Sequence, residues 1–270
     1  MENNLITQIN SELFNSVSNS LQDTNTSESD AEYSFYTYNG VPVPRVTLIL
    51  KKVIAKPGLL YWAASIGKKN LYIEQKSSTK VGSAVHKKIE MFLKTGVEFN
   101  LDYDGFYYSE VKSVDLAYQN FLDWYKYLRS KGYSFTPIAT EVKLVCPYYG
   151  GTIDCIAEIN GAKYIIDWKT SKQILPEYYI QTAAYMWAIN NGYCPEVDHV
   201  DGIGVVRIDK SDRKFEDSFL TYHIHKDIID GYISAFGSLL HAYYNLSYVE
   251  QFNNHYKLEE NIEGLLENHD

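Results

Sequence analysis

Two aspartates and a lysine bracket one short turn in this sequence. Asp154 ends the run Gly150-Gly151-Thr152-Ile153-Asp154, Asp167 and Lys169 lie in Asp167-Trp168-Lys169-Thr170, and Asn160-Gly161 falls between them. Asn-Gly between alternating apolar residues predicts a β-hairpin with a two-residue type I′ turn. With Asn160 and Gly161 as the loop, Asp154 stands opposite Asp167, and Lys169, two residues further on, points to the same side. Directly opposed residues have Cβ atoms about 4.5–5.5 Å apart, where like charges destabilise a sheet unless something compensates them. A divalent cation is the natural compensation. The two carboxylates and the backbone carbonyl of Trp168 offer the oxygen ligands that Mg²⁺ prefers, and Mn²⁺ tolerates an added imidazole. Such a cation beside an ammonium suits hydrolysis of a phosphodiester. The metal polarises the phosphoryl oxygen and acidifies a water, and Lys169 orients that water and stabilises developing charge.

Positioning these groups requires a sheet and helices to cover it. The opposite face of the hairpin holds Ile153, Cys155, Ala157 and Ile159 against Trp168, Ile166, Tyr164 and Ala162, a wholly apolar set that must be core. Helices are predicted over 46–55 and 59–66, broken at Pro57-Gly58, and over about 79–94, capped by Ser77-Ser78-Thr79 and stopped by Gly96. Further helices follow over 109–131 and 176–190, and a last one from Asp227 to about Tyr244. Strands are predicted over 138–146, 151–159, 163–168, 199–208 and 219–225. Val41-Pro42-Val43-Pro44 reads as an extended lead-in. That order describes an α/β fold, a mixed central β-sheet flanked by helices. His86 lies one turn from Gly82 beside the apolar stripe Val81, Val85, Ile89 and Phe92, and by itself it reads as a structural residue. Gln181 and Tyr185 share a helix face one turn apart.

Charge is distributed unevenly along the 270 residues, whose net charge is −9. Residues 1–44 carry six acids and no Lys or Arg, whereas residues 45–94 carry eleven Lys or Arg against two acids. A basic segment inside an acidic chain is what binding a phosphate backbone requires, and Lys68, Lys69, Lys76, Lys80, Lys87 and Lys88 are its candidate contacts. The composition predicts an acidic, flexible arm over 1–40, one domain over 41–250 and a polar tail over 251–270. Cys146, Cys155 and Cys194 have no C-x-x-C spacing and read as buried reduced thiols. Without a long apolar stretch or a leader pattern, the expected setting is cytoplasmic, with no membrane partner. No G-x-x-x-x-G-K-[ST] is present, so no ATP-driven motor is expected.

The residues singled out above also carry a family resemblance. Gly151-Thr152-Ile153-Asp154 followed by Asp167-Trp168-Lys169 resembles the G-x-x-D … (D/E)-x-K core of the PD-(D/E)XK nuclease superfamily. Gly82-x-x-x-His86 resembles the histidine helix of its RecB-like branch, Glu141 the acid on the strand before the core, and Gln181-x-x-x-Tyr185 the branch's Q-x-x-x-Y helix. Val43-Pro44-Arg45-Val46-Thr47 with Tyr61-Trp62-Ala63 is similar to phage-type members. The resemblance implies a restriction-endonuclease-like core and a metal-dependent deoxyribonuclease, preferentially an exonuclease on single-stranded or duplex DNA ends in recombination, replication or repair. In it His86, Asp154, Asp167 and the Trp168 carbonyl bind Mg²⁺ or Mn²⁺, Lys169 serves the attacking water, Glu141 is a supporting acid, and Gln181 and Tyr185 hold the active-site strand or the DNA. Some RecB-like relatives carry an iron–sulfur cluster on four cysteines; with three cysteines, none beyond Cys194, no cluster is expected here. The competing expectations are a catalytically inactive DNA-binding or assembly protein on the same fold, and a sequence-specific endonuclease.

Overall fold

A computed structural model describes residues 35–266 of the chain. The acidic arm expected over 1–40 therefore falls, up to residue 34, outside the described residues, as do residues 267–270 of the expected tail. The chain divides into two compact units, one built from residues 55–144 and 152–234 and the other from residues 35–54, 145–151 and 235–266 of those described.

The first unit holds a five-stranded sheet in the order β3-β4-β5-β6-β7, formed by Phe135–Val145, Gly150–Ile159, Ala162–Lys169, Gly202–Ile208 and Phe215–Thr221. β4 and β5 are antiparallel, β5 and β6 parallel, and β6 and β7 antiparallel, so the sheet is mixed as expected. The crossover between the parallel strands carries α5 (Pro176–Asn190), the element such a connection requires. Ahead of the sheet come α2 (Pro57–Ile66), α3 (Lys68–Thr95) and α4 (Tyr108–Ser130). α4 opens on a capping box in which Glu110 accepts the Tyr107 N–H at 2.9 Å, and α3 ends at Gly96, whose φ of 73° no β-carbon-bearing residue adopts easily.

α3 begins about ten residues before the expected start. Ser77, Ser78 and Thr79 lie inside a 28-residue helix that starts after Gly67 (φ 78°), because residues 68–76 contain neither Gly nor Pro and only helix-compatible side chains. Hydroxyls that read as a cap are spent elsewhere, the Ser78 Oγ on Lys210. Also on α3, Val81, Val85 and Ile89 pack with Phe121 and Trp124 of α4 against Cys155, Ala157, Ile166 and Trp168 of the hairpin's apolar face. Trp168, 1% exposed, meets Phe121 and Trp124 edge-on at 5.4 and 5.2 Å between ring centres.

In the second unit, β1 (Phe35–Tyr38) and β2 (Val41–Pro44) form a hairpin around Asn39-Gly40, both at positive φ. The Val41–Pro44 stretch is thus one strand of a pair whose partner was not foreseen. α1 (Val46–Val53) follows, and Lys52 pairs at 2.7 Å with Glu250 of α6 (Tyr222–Leu266), whose residues from 235 onward belong to this unit. α6 breaks at His225 (φ −122°, ψ 30°) and then continues well past Tyr244, the expected end, since no Gly or Pro interrupts residues 238–263. Among the described residues no helix is long and apolar enough to cross a membrane.

Gly202 of β6 shows how tightly the sheet is built. A β-carbon there would collide with the backbone carbonyl of Leu220 on β7, an atom that moves only with its strand. Gly202→Ala is expected to cost about 1–3 kcal/mol, the range for overpacking, read as a lowered melting temperature.

Candidate active site

The Asn160-Gly161 turn sets everything that follows. Asn160 (φ 51°) and Gly161 (φ 83°) both take the left-handed conformation of a type I′ loop, and the register runs from Ile159↔Ala162 to Cys155↔Ile166. Continued by one step it would oppose Asp154 and Asp167, as expected, but the ladder ends at Cys155. Beyond it the Asp154 side chain takes over: its Oδ2 accepts the Trp168 N–H at 2.9 Å. The other oxygen, Oδ1, lies 3.4 Å from Nδ1 of His86 on α3. His86 is therefore no idle helix histidine.

Glu141 reaches the same place by a backbone irregularity. Its φ of 53° inside β3 is the left-handed conformation, uncommon for a non-glycine residue. On its N-terminal side the more buried residues are Phe135, Pro137 and Ala139; on its C-terminal side they are Val142 and Leu144. That change of parity is the signature of a β-bulge, which re-aims side chains. His86, Glu141 and Asp154 each bring a ligand atom within 4.8 Å of the others. They line a depression of about 380 Å³ together with Gly82, Ser83, Lys87 and Thr152.

Asp167 is not a member of that trio. Its carboxylate, 4% exposed, is gripped by Lys169, whose Nζ lies 2.8 Å from Oδ1 and 2.7 Å from Oδ2. Gln181 of α5 donates to Oδ1 at 3.2 Å and accepts from Lys169 at 3.4 Å. Among the described residues Oδ1 alone is hydrogen-bonded; Oδ2 touches the ammonium without the alignment of a hydrogen bond and is otherwise buried. Tyr178, one turn before Gln181, sets its ring 4.8 Å from Lys169 Nζ. It escaped the sequence reading, although its i, i+3 spacing from Gln181 was the available signal. Tyr185 lies one turn beyond Gln181, 3% exposed.

The basic candidates divide into two groups. Lys80 bonds the Gly105 carbonyl and pairs with Glu110 at 3.3 Å, and Lys88 pairs with Asp115 at 3.2 Å and lies over the Tyr118 ring, so both turn towards the α4 side. Lys87 pairs with Glu90 at 2.9 Å at the edge of the depression. Lys69 and Lys76 are exposed, and the side chain of Lys68 lies outside the described residues.

Electrostatics at the cluster are those of too many acids in too little water. Burial pushes the Asp167 carboxyl up to about 6, with Asp154 adding to the effect and Lys169 opposing it. Burial, then Asp154, also raises Glu141. For Asp154, burial is outweighed by His86, Lys169 and the Trp168 N–H, and its pKa is lowered. Burial is likewise outweighed at Lys169, where Asp167 and Asp154 raise the pKa and keep the ammonium charged at neutral pH. One imidazole, convergent carboxylates and a buried carboxylate oxygen without a hydrogen bond fit a hard divalent cation. His86, Glu141 and Asp154 are the residues able to hold it, with Asp167 beside them.

Binding to the folded state alone stabilises by RT ln(1 + [L]/Kd), about 2.7 kcal/mol at a hundredfold excess over Kd. Mn²⁺ or Mg²⁺ is therefore expected to raise the melting temperature, and Asp154→Asn to abolish that rise. An acid whose pKa is raised by folding costs stability above its unfolded pKa, so Glu141→Gln is expected to melt higher than the parent without metal at pH 7, and to gain less when metal is added.

A comparison with curated proteins finds no match. The family profile described as the PD-(D/E)XK nuclease superfamily matches residues 60–268, which include the whole hairpin, both helices that flank it and every residue of the cluster. A match over most of the chain, with the acid–acid–lysine core on the expected hairpin, means that this protein belongs to the PD-(D/E)XK nuclease superfamily.

Proposed function

We propose that the protein hydrolyses DNA phosphodiester bonds with Mg²⁺ or Mn²⁺ as an exonuclease of the RecB-like, phage-type branch, acting on single-stranded or duplex ends in the cytoplasm. The observation that carries the reading is the intact pairing of Lys169 with Asp167 beside Asp154, whose trio with His86 and Glu141 lines a depression open to solvent. A buried lysine kept charged beside Asp167 and Asp154 supports an active site over a scaffold that has abandoned catalysis, since unneeded buried charge is costly. The exonuclease subtype draws its support from the resemblance of Gly82-x-x-x-His86 and Gln181-x-x-x-Tyr185 to that branch.

A divalent cation held by His86, Asp154 and Glu141, with Asp167 as a further candidate ligand, supplies Lewis-acid polarisation of the phosphoryl oxygen and a more acidic water. The protein's own groups do the positioning. Lys169 stays protonated, so it acts as a charged hydrogen-bond donor to the attacking water or to a phosphoryl oxygen rather than as a base. Gln181 holds the Asp167 carboxylate and the Lys169 ammonium in one orientation, and the Tyr178 ring limits where that ammonium can swing. Asp154 ties the trio to the backbone of β5 through Trp168.

Purified protein incubated with end-labelled single- and double-stranded oligonucleotides and Mn²⁺ is expected to give a ladder or mononucleotides. Lys169→Ala and Asp154→Asn should each lower the rate by about a hundredfold or more. Absence of cleavage by the parent, or equal cleavage by all three, overturns the proposal, and discrete fragments from plasmid DNA would replace the exonuclease with an endonuclease.

A further inference from the structure

Along one face of α3, Ser78, Gly82 and His86 are spaced by four residues, and each meets a different segment on the sheet side of the same unit. His86 meets Asp154 of β4, and Gly82 faces Thr170, whose Oγ1 would be 3.5 Å from a β-carbon added there. The Ser78 Oγ accepts a hydrogen bond of 2.7 Å from Lys210 Nζ, in the turn that joins β6 to β7. At 1.5 Å of rise per residue, Ser78 and His86 lie about 12 Å apart along the helix.

Lys210 is an unusual lysine. It is half-buried, yet among the described residues no carboxylate comes within ion-pairing distance of it, in contrast to Lys80, Lys87 and Lys88 of α3. Lys172, in the loop directly after the Lys169 strand, is exposed and likewise forms no ion pair among the described residues. Burial holds the Lys210 ammonium below its usual range; Glu74 opposes that effect, Lys172 adds to it, and Asp209 opposes it weakly. Two neighbouring cations, one of them partly desolvated and bonded among the described residues to a serine hydroxyl, are short of an anion.

We propose that Lys210 and Lys172, with the Ser78 hydroxyl, form a phosphate-binding subsite that holds the nucleic-acid strand a few nucleotides from the bond being cut. This rests on the nuclease reading above and adds where the strand runs. Phosphates advance about 3.4 Å per nucleotide in a stacked strand and more in an extended one, so the 12 Å stripe corresponds to roughly two to four nucleotides. Gly82 lies midway and lines the depression. Lys80 and Lys88, committed to Glu110 and Asp115, are not needed for it.

The test measures equilibrium binding of a fluorescein-labelled single-stranded oligonucleotide across a salt series, in the Asp154→Asn background to prevent turnover. Lys210→Ala and Lys172→Ala are added singly and together, with Lys126→Ala, an exposed lysine of α4, as the equal-charge control. Each subsite lysine removed is expected to weaken binding about threefold to tenfold and to flatten the slope of log K against log salt by about 0.7. Lys126→Ala should do neither. In the active protein, Lys210→Ala should raise KM while leaving kcat within about twofold, and Lys210→Arg should restore KM. Parent-like binding and slope in the double variant, or an equal loss in Lys126→Ala, overturns the subsite while cleavage by the parent still supports the nuclease reading. No binding and no cleavage by any form overturns both.

Discussion

The site depends on the Asp154 carboxylate standing in for a strand. Where the β4–β5 ladder stops, the Trp168 N–H would face a carboxylate-lined depression without a partner, and a buried donor left unmade costs about 1–3 kcal/mol. Asp154 Oδ2 satisfies it, and in doing so the carboxylate is locked with Oδ1 turned towards His86. One side chain thus closes the β4–β5 ladder, anchors Trp168 in the aromatic core behind it and meets His86 in front of it. Wherever the hairpin twists, the acid moves with β5.

Around that anchor the charges are arranged in two layers. Lys169 and Asp167 form a buried pair braced by Gln181 and Tyr178, while His86, Glu141 and Asp154 face the opening. A buried ion pair adds little net stability, because desolvation cancels most of its Coulomb attraction. Its value here lies in position: the ammonium is held against the Asp167 carboxylate. The left-handed backbone at Glu141 points the same way, since strain of this kind persists only where the surrounding fold imposes it, and it sits where a third acid is aimed at the trio.

Much of this was legible in the sequence because it is local. Asn160-Gly161 determines its own turn, the turn determines the register, and the register separates an apolar face from an acidic one without reference to anything distant. The same signal at Asn39-Gly40 was there to be read and marked a hairpin that went unrecognised. Helix ends were less legible: Ser77-Ser78-Thr79 has the composition of a cap, but Glu110 and Lys210, both remote in sequence, use Ser77 and Ser78 instead.

By itself, then, the sequence determined the hairpin, the mixed α/β order and the acid–acid–lysine set, since each follows from spacing along a strand or a helix. Tertiary structure alone decided how those groups share the work. It ended the ladder one pair before the two aspartates, gave Asp167 to Lys169 and Gln181, and drew Glu141 into the trio through a bulge that no periodicity announces. It also turned Lys80 and Lys88 towards α4 while leaving Lys210 and Lys172 without a carboxylate partner among the described residues. The physical reason is common to all four: which partner a charged side chain takes depends on what packs beside it, and those neighbours come from segments that only the fold brings together.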